Sequence, residues 1–308
     1  MKAIRIHEYG GPDVMKYEDI PEPQPGPGEI RIRIIAAGVN PIDWKIRRGY
    51  MALPLPMTVG SDVAGIVDVV GQAETSFQPG DEVFGKASAG QGGYAEYTVV
   101  NSTQVAQKPK SIGFIESAAI PTAGLAAWQS LFDIAGLESG QTVLVHGAAG
   151  GVGTFAVQFA KWKGAYVIGT ASSKNAEFLK SIGSDEVIDY RNQQFEEIVS
   201  NLDVVLDTIG GDTFERSWEV LKPGGFLVST VASIPEGAPQ KYGVRAKTLM
   251  TQADGRELAQ IAAIIDEQKI KPIVTTVLPL NDARKAHEMS ESGHSRGKIV
   301  LRVAEDPK

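Results

Sequence analysis

The stretch that most limits what this chain can fold into runs from Gln141 to Lys174, QTVLVHGAAGGVGTFAVQFAKWKGAYVIGTASSK. A short apolar run, Thr142 to Val145, meets a glycine-rich turn, His146 to Gly153. A helical pattern follows from Thr154 to Lys163, and a second apolar run occupies Tyr166 to Thr170. Strand, tight turn, helix and strand in that order make the first half of a dinucleotide-binding unit. Gly147, Gly150 and Gly153 stand three apart with Gly151 beside them, a variant of the usual G-x-G-x-x-G spacing. Glycine lets the chain turn sharply and brings backbone close to a pyrophosphate. The helix that starts there aims unpaired N–H groups and its positive dipole end at the anion. The expected contacts in the turn are Gly147, Ala148, Gly150, Gly151, Val152 and Gly153.

The residues after the second strand choose between cofactors. An acid there hydrogen-bonds a free ribose 2′-hydroxyl and repels a 2′-phosphate. Here the chain reads Ala171, Ser172, Ser173 and Lys174, with no acid between Thr170 and Asn175. Two hydroxyls and a cation suit the phosphate, so the expected cofactor is NADPH, held by Ser172, Ser173 and Lys174.

At 308 residues the chain has room for two domains. Apolar content of 43% and a net charge of −7 describe an ordinary globular protein and argue against a nucleic-acid partner. No apolar run approaches the roughly 18–20 residues of a membrane span. The N-terminus, MKAIRIHEYGG, alternates like a strand and lacks a signal peptide's apolar core, so the cytosol is the expected location. There is no cysteine, which excludes disulfides, cysteine nucleophiles and thiolate zinc sites. His7, His146, His287 and His294 are scattered without a ligand spacing, so no metal is expected.

Residues 1–110 read as β structure. Runs at Lys2–Ile6, Ile30–Ala36, Val63–Val70, Glu82–Phe84 and Tyr94–Val99 are separated by Gly/Pro turns. Glu116–Ile134 is Ala-rich and helical in pattern, with breaks expected at Pro121 and Gly124. Strand and helix then alternate through Asp203–Asp207 and Gly225–Thr230, which implies a parallel, doubly wound sheet. A helix is expected over Arg256–Gln268, extended chain over Lys271–Leu278, and a last strand over Lys298–Val303 that returns to the first domain.

A set of segments in fixed order resembles the zinc-independent quinone oxidoreductases and enone (alkenal) reductases of the medium-chain dehydrogenase/reductase superfamily, the ζ-crystallin-like group. They are AAGVNPIDWKIRRG (36–49), VGSDVAGIV (59–67), FQPGDEVFG (77–85), GGYAEY (92–97), AAIPTAGLAAW (118–128), HGAAGGVG (146–153), LKPGG (221–225) and RGKIVL (296–301). The resemblance implies an α/β protein with a GroES-like β-rich catalytic domain, residues 1–116 and 272–308, and a Rossmann NADPH-binding domain, residues 117–271. Zinc-dependent relatives carry a Cys, a His-Glu pair and a second Cys where this chain has Asn40, Ser61–Asp62 and Thr122. The implied reaction is therefore hydride transfer from NADPH to a quinone or an α,β-unsaturated carbonyl, without zinc.

For that reaction the resemblance nominates Asn40, Lys45 and Tyr50. Lys45 stands where the ζ-crystallin type usually presents a Tyr, which favours enones; it either charges a developing enolate or is a solvated lysine. Tyr50 lines the acceptor slot or is a turn aromatic, and Asn40 donates a hydrogen bond or holds the turn before Pro41. Thr122 touches the nicotinamide side or merely follows Pro121. Tyr190 meets the adenosine side or is a buried strand-end aromatic. Thr208, Thr230, Val231 and Ala232 follow strands and face the cofactor. Arg296 and Lys298 close over it or are surface charges. Family members are often homodimers. The alternatives are a non-catalytic NADPH-binding protein, crystallin-like or redox-sensing, and an enoyl-thioester reductase.

Overall fold

The structure is a computed structural model that describes residues 1–88 and 90–306. Positions 307–308, the end of the expected catalytic segment, lie outside the described residues. The chain divides into two compact units, one of Met1–Leu125, Ala253–Gln268 and Pro272–Lys308, the other of Ala126–Gln252 and Lys269–Lys271. The sequence put the boundaries near 116/117 and 271/272. The difference has two sources: the first boundary falls inside the helix Pro121–Trp128, and the helix Gly255–Asp266 groups with the first unit. Gly124 does not break the former helix, because its bare Cα faces Ile120 and Ile261, where a Cβ would lie 3.0 and 3.6 Å from side-chain carbons.

The first unit is built on the strand Glu29–Val39, which alternates at its start and is buried on both faces from Ile34 onward. It pairs antiparallel with Asp62–Val70, with Lys298–Arg302 and with Tyr97–Asn101 in a seven-stranded sheet. Ile30, Ile32, Ile34, Val63, Val67, Val83 and Val100 form the core beside it, each such side chain worth about 1.5–3 kcal/mol of burial. Register then does the positioning: Gly38 lies opposite Asp62, and Val39 opposite Ile299. Asn40, Asp62 and Lys298 therefore arrive at one end of three neighbouring strands. Gly38 has a second role. A Cβ there would sit 2.2 Å from the Ala118 carbonyl, so only glycine lets the Phe114–Ala118 helix rest on the strand and deliver Thr122 to Asp62.

Several elements went unforeseen. The helix Pro41–Arg47 starts with Asn40 and Asp43 as a reciprocal capping box and Pro41 at its first turn, a signal present in the sequence as N-P-I-D. The expected strand at Tyr94–Val99 begins only at Tyr97, since Tyr94 bonds the loop residue Val59 instead. The helix Ala283–Glu291 and the strands Met15–Asp19 and Arg245–Thr248 were likewise not foreseen.

The second unit is a parallel sheet of six strands in the spatial order Glu186–Asp189, Tyr166–Ala171, Thr142–Val145, Leu202–Asp207, Leu221–Ser229 and Arg245–Thr248. The order reverses on either side of Thr142–Val145, the switch point at which such sheets bind ligands beyond their carboxyl ends. Leu144, Ile168, Val205, Phe214, Trp218 and Leu227 form one core, and Phe155 and Phe159 are fully buried on the following helix.

Candidate active site

In the second unit the turn after Thr142–Val145 leads directly into the helix Gly151–Lys163, which starts three residues earlier than the sequence suggested because Gly151 and Gly153 are themselves helical. Gly150 is the N-cap and offers no side chain to the first-turn N–H groups. The glycines are demanded by contact. A Cβ on Gly153 would lie 2.3 Å from the Gly147 carbonyl oxygen, and Gly147 itself has φ +68°. Thus the cradle is backbone pressed on backbone, open to an anion at the helix end.

His146 pins this turn. Its Nδ1 lies 3.1 Å from Thr170 Oγ1 and its Nε2 3.1 Å from Ser217 Oγ. Ser217 spends its own proton on the Thr213 carbonyl at 2.6 Å. Nε2 must therefore carry the ring proton, and Nδ1 accepts from Thr170. Burial holds the imidazole's pKa down at about 4, so the ring is neutral. Thr208 donates to the His146 carbonyl at 2.8 Å. The strand end at Asp207 is fixed in the same way: its carboxylate accepts from Ile209, Gly210 and Ser229, and Ser229 Oγ accepts from Val231 and Ala232. Thr230 bonds the Asp207 carbonyl. All the expected strand-end contacts of this unit thus sit at the carboxyl edge of the sheet.

At the end of Tyr166–Ala171, Ser172 is buried, whereas Ser173 and Lys174 are exposed. Tyr190 is 56% exposed, which removes the alternative of a buried strand-end aromatic. Two neighbours were missed. Arg191 stands 5.9 Å over the Tyr190 ring. Asp189 pairs with Ala171 in register, and hydrogen bonds from Arg191, Asn192 and Ser173 hold its carboxyl below the usual range. An acid beside the 2′ segment was invisible because it comes from the next strand.

The first unit holds a buried polar cluster. Asp62, fully buried, accepts from Asn40 Nδ2 at 2.8 Å, from Thr122 Oγ1 at 2.5 Å, and from Thr122 N at 3.1 and 3.0 Å on its two oxygens. Lys298, 3% exposed, donates to the Val39 carbonyl at 2.9 Å and to Asn40 Oδ1, and lies 3.9 Å from Asp62. Burial pushes its ammonium pKa down, against the pull of Asp62 and Asp43. Asp43 accepts from Asn40 N at 2.8 Å, Tyr94 OH at 2.9 Å and Ser61 Oγ at 3.0 Å. Burial, reinforced by Asp62, lifts its pKa to about 6, and the same surroundings raise that of Tyr94.

Two expectations need correction. Lys298 is not a surface charge; it is the internal cation of this cluster. Asn40 is not a donor free for substrate, because its amide is spent on Asp62, Ser61 and Lys298. Lys45 is half-buried, 5.8 Å over the Trp44 ring, and makes no hydrogen bond to the cluster. Tyr50 is 72% exposed and meets Trp44 edge-on at 6.2 Å. The structure brings these two rings and one cation together at one helix end, outside the cluster. Arg47, on the same helix, is fully buried and paired with Glu291 at 2.9 Å. The Arg296 carbonyl accepts from Thr275 at 2.6 Å.

The cluster does not fit zinc. Such a site wants thiolate, imidazole or carboxylate donors around an open position. Here the Asn40 carbonyl faces an ammonium, Thr122 and Ser61 turn their protons to carboxylates, and Lys298 stands next to Asp62. Among the described residues no group of three or more His, Cys, Asp or Glu is placed to hold a metal. Nor, among them, is any helix long and apolar enough to cross a membrane.

Residues 26–110 match the family described as alcohol dehydrogenase GroES-like domain, and residues 182–301 that described as zinc-binding dehydrogenase. The 2-methylene-furan-3-one reductase of Solanum lycopersicum is 36% identical over 316 residues, covering 98% of this chain and 79% of that protein. The solved quinone oxidoreductase of Coxiella burnetii superimposes with a TM-score of 0.92 at 36% identity, covering 98% of this chain and 99% of the other. That of Escherichia coli, complexed with NADPH, gives 0.91 at 30%, covering 98% and 100%. With full-length relatives of this kind, a GroES-like unit and a dinucleotide sheet, the chain belongs to the quinone oxidoreductase and enone reductase family of the medium-chain dehydrogenase/reductase superfamily.

Proposed function

We propose that this protein is an NADPH-dependent, zinc-independent reductase of activated acceptors, α,β-unsaturated carbonyls first and quinones second. The observation that carries the reading is the buried cluster: an amide, two hydroxyls and one carboxylate, from Asn40, Ser61, Thr122 and Asp62, stand where zinc-dependent relatives hold metal ligands, and all are spent on hydrogen bonds beside the buried Lys298 ammonium. Without a Lewis acid an alcohol oxygen is not activated for oxidation, whereas a conjugated acceptor is already electrophilic. When bound, NADPH supplies the hydride. The chain's own task is to bind and orient. First-turn N–H groups from Gly151 onward receive the pyrophosphate, and Ser173, Lys174 and Arg191 receive the 2′-phosphate. Lys45 places positive charge beside a half-buried aromatic wall, where an acceptor oxygen gains charge as the hydride arrives.

The same reading includes a cytosolic homodimer, for which light scattering should return twice the chain mass. The deciding experiment is a panel of enones, quinones and alcohols, followed by NADPH consumption under excess EDTA. EDTA-resistant turnover of an enone is expected. Alcohol oxidation that EDTA abolishes would contradict the reading, and NADPH binding with no turnover of any acceptor would make the protein a non-catalytic binder.

A further inference from the structure

Hydride transfer to an enone leaves a proton to be delivered, and neither Lys45 nor the committed Asn40 amide is placed in a proton chain. We propose that the Ser61 hydroxyl protonates the enolate oxygen of the substrate, and that the buried carboxyl of Asp43 resupplies Ser61. The proposal rests on the enone-reductase reading above.

The geometry has a built-in direction. Asp43 is 2% exposed, Ser61 is half-buried, and 3.0 Å separates Asp43 Oδ1 from Ser61 Oγ. The pair therefore leads from the interior to the surface of the cluster. Asn40 is fixed in one amide orientation, since Lys298 donates to its Oδ1; its Nδ2 must then face Asp62 and Ser61, the latter at 3.3 Å. Ser61 Oγ thus already accepts one N–H. With Asp43 ionised, Ser61 gives its proton to the carboxylate. With Asp43 protonated on Oδ1, that O–H donates to Ser61 Oγ and fills its second lone pair. Ser61's own hydrogen is then forced away from both partners. Oδ2 keeps its donors, Asn40 N at 2.8 Å and Tyr94 OH at 2.9 Å, in both states.

The charged and titratable groups facing this carboxyl are Asp62 from the neighbouring strand, Tyr94 from the loop before Tyr97–Asn101, and Lys298 from the terminal strand. Burial and Asp62 outweigh the stabilising hydrogen bonds and lift Asp43 to about 6, so a proton is available near neutrality. The step balances. Two electrons arrive with the hydride at the β-carbon, and the carbonyl π pair moves onto oxygen. The Ser61 O–H bond breaks as the enol O–H forms, the Asp43 proton passes to Ser61, and solvent reprotonates the carboxylate. The enol then tautomerises to the saturated carbonyl in water. Ser61 is the catalytic residue; Asp43, which acts through it, is a positioning residue and proton store.

The test uses full-length protein, NADPH and 2-cyclohexen-1-one. Ser61→Ala should lower kcat by about 10²-fold, within the range for positioned acid catalysis, with the NADPH dissociation constant unchanged. Ser61→Thr, which restores a hydroxyl, should recover most of the loss. Wild-type kcat should fall tenfold per pH unit above the Asp43 pKa, and Asp43→Asn should lose that limb. Titration of the Asp43 carboxyl by carbon NMR in wild type and Ser61→Ala gives a readout that does not depend on turnover or on the Asn variant folding; it should titrate near 6 in wild type. Full activity in Ser61→Ala, a flat wild-type pH profile, or an Asp43 carboxyl that titrates at the ordinary value would each overturn the relay while leaving the reductase reading intact. A wild type that reduces no enone would remove the reading, and the relay with it.

Discussion

His146 offers a prediction whose size follows from the structure. The ring is 1% exposed, accepts from Thr170, donates to Ser217 and packs edge-on against Phe195 at 4.6 Å. Burial is the main cause that lowers its pKa from 6.5 to about 4; Arg216 assists and Asp207 and Glu196 oppose. A histidine whose folded-state pKa is depressed contributes stability above its unfolded pKa and loses it as pH falls through the folded one. The drop corresponds to about 3 kcal/mol in full, of which about 2 kcal/mol disappears between pH ~7 and ~4.5. Asp43 works in the opposite sense. Its raised pKa favours the folded state below the unfolded value, and that contribution is lost as pH rises through about 6. His287, also buried and lowered to about 3, adds a loss in acid of the same sense as His146, so wild-type stability alone does not isolate His146 and the comparison must be made with a variant. His146→Gln cannot titrate and loses a buried hydrogen bond, so it should be less stable at neutral pH by about 1–3 kcal/mol. Urea unfolding of both proteins at the two pH values should show that gap narrowing by about 2 kcal/mol in acid. A gap that stays constant, or an imidazole that titrates near its ordinary value by NMR, would refute the assignment of His146 as a buried neutral pin.

Gly153→Ala would set a Cβ 2.3 Å from the Gly147 oxygen; the turn must open by nearly 1 Å, so NADPH affinity should fall at least 10²-fold, measured by fluorescence titration. Gly140→Ala is the control, since nothing lies near its Cβ although φ is +81°, and it should bind normally. Lys174→Ala should weaken NADPH about tenfold and leave NADH unchanged, as calorimetry would read it; equal loss for both cofactors would deny the phosphate contact. Glu291→Ala strips the fully buried Arg47 of its carboxylate and should cost about 3 kcal/mol in chemical unfolding.

The nucleotide unit was legible because its signals are local. Apolar runs such as Thr142–Val145 and Asp203–Asp207 are short and bounded, and the glycines of the turn stand next to one another in the chain. The buried polar cluster was legible only as a list of positions. Asn40, Ser61, Asp62 and Thr122 were picked out, but not Asp43, Tyr94 or the true place of Lys298. The place of Lys298 depends on the register of Glu29–Val39 against Asp62–Val70 and Lys298–Arg302, and that of Tyr94 on a loop bonded to Val59, neither of which single-chain periodicity reveals. A lysine near the C-terminus reads as surface by default, and only strand pairing turns it inward. The capping box N-P-I-D was the one local clue that Asp43 would face back to Asn40. Asp189 was missed for a related reason: it neighbours Ala171 in space through a parallel pair, not in sequence.

In the proposed reaction a metal-free site moves a hydride from NADPH to an activated carbon. The most direct measurement incubates chelator-treated protein with 2-cyclohexen-1-one and NADPH deuterated at nicotinamide C4, using each C4 epimer in turn, then locates the label by NMR. One epimer should place deuterium on the β-carbon of the saturated product, with the α-hydrogen drawn from solvent. No label in the product from either epimer, or transfer only after zinc is added back, would rule out metal-free hydride transfer.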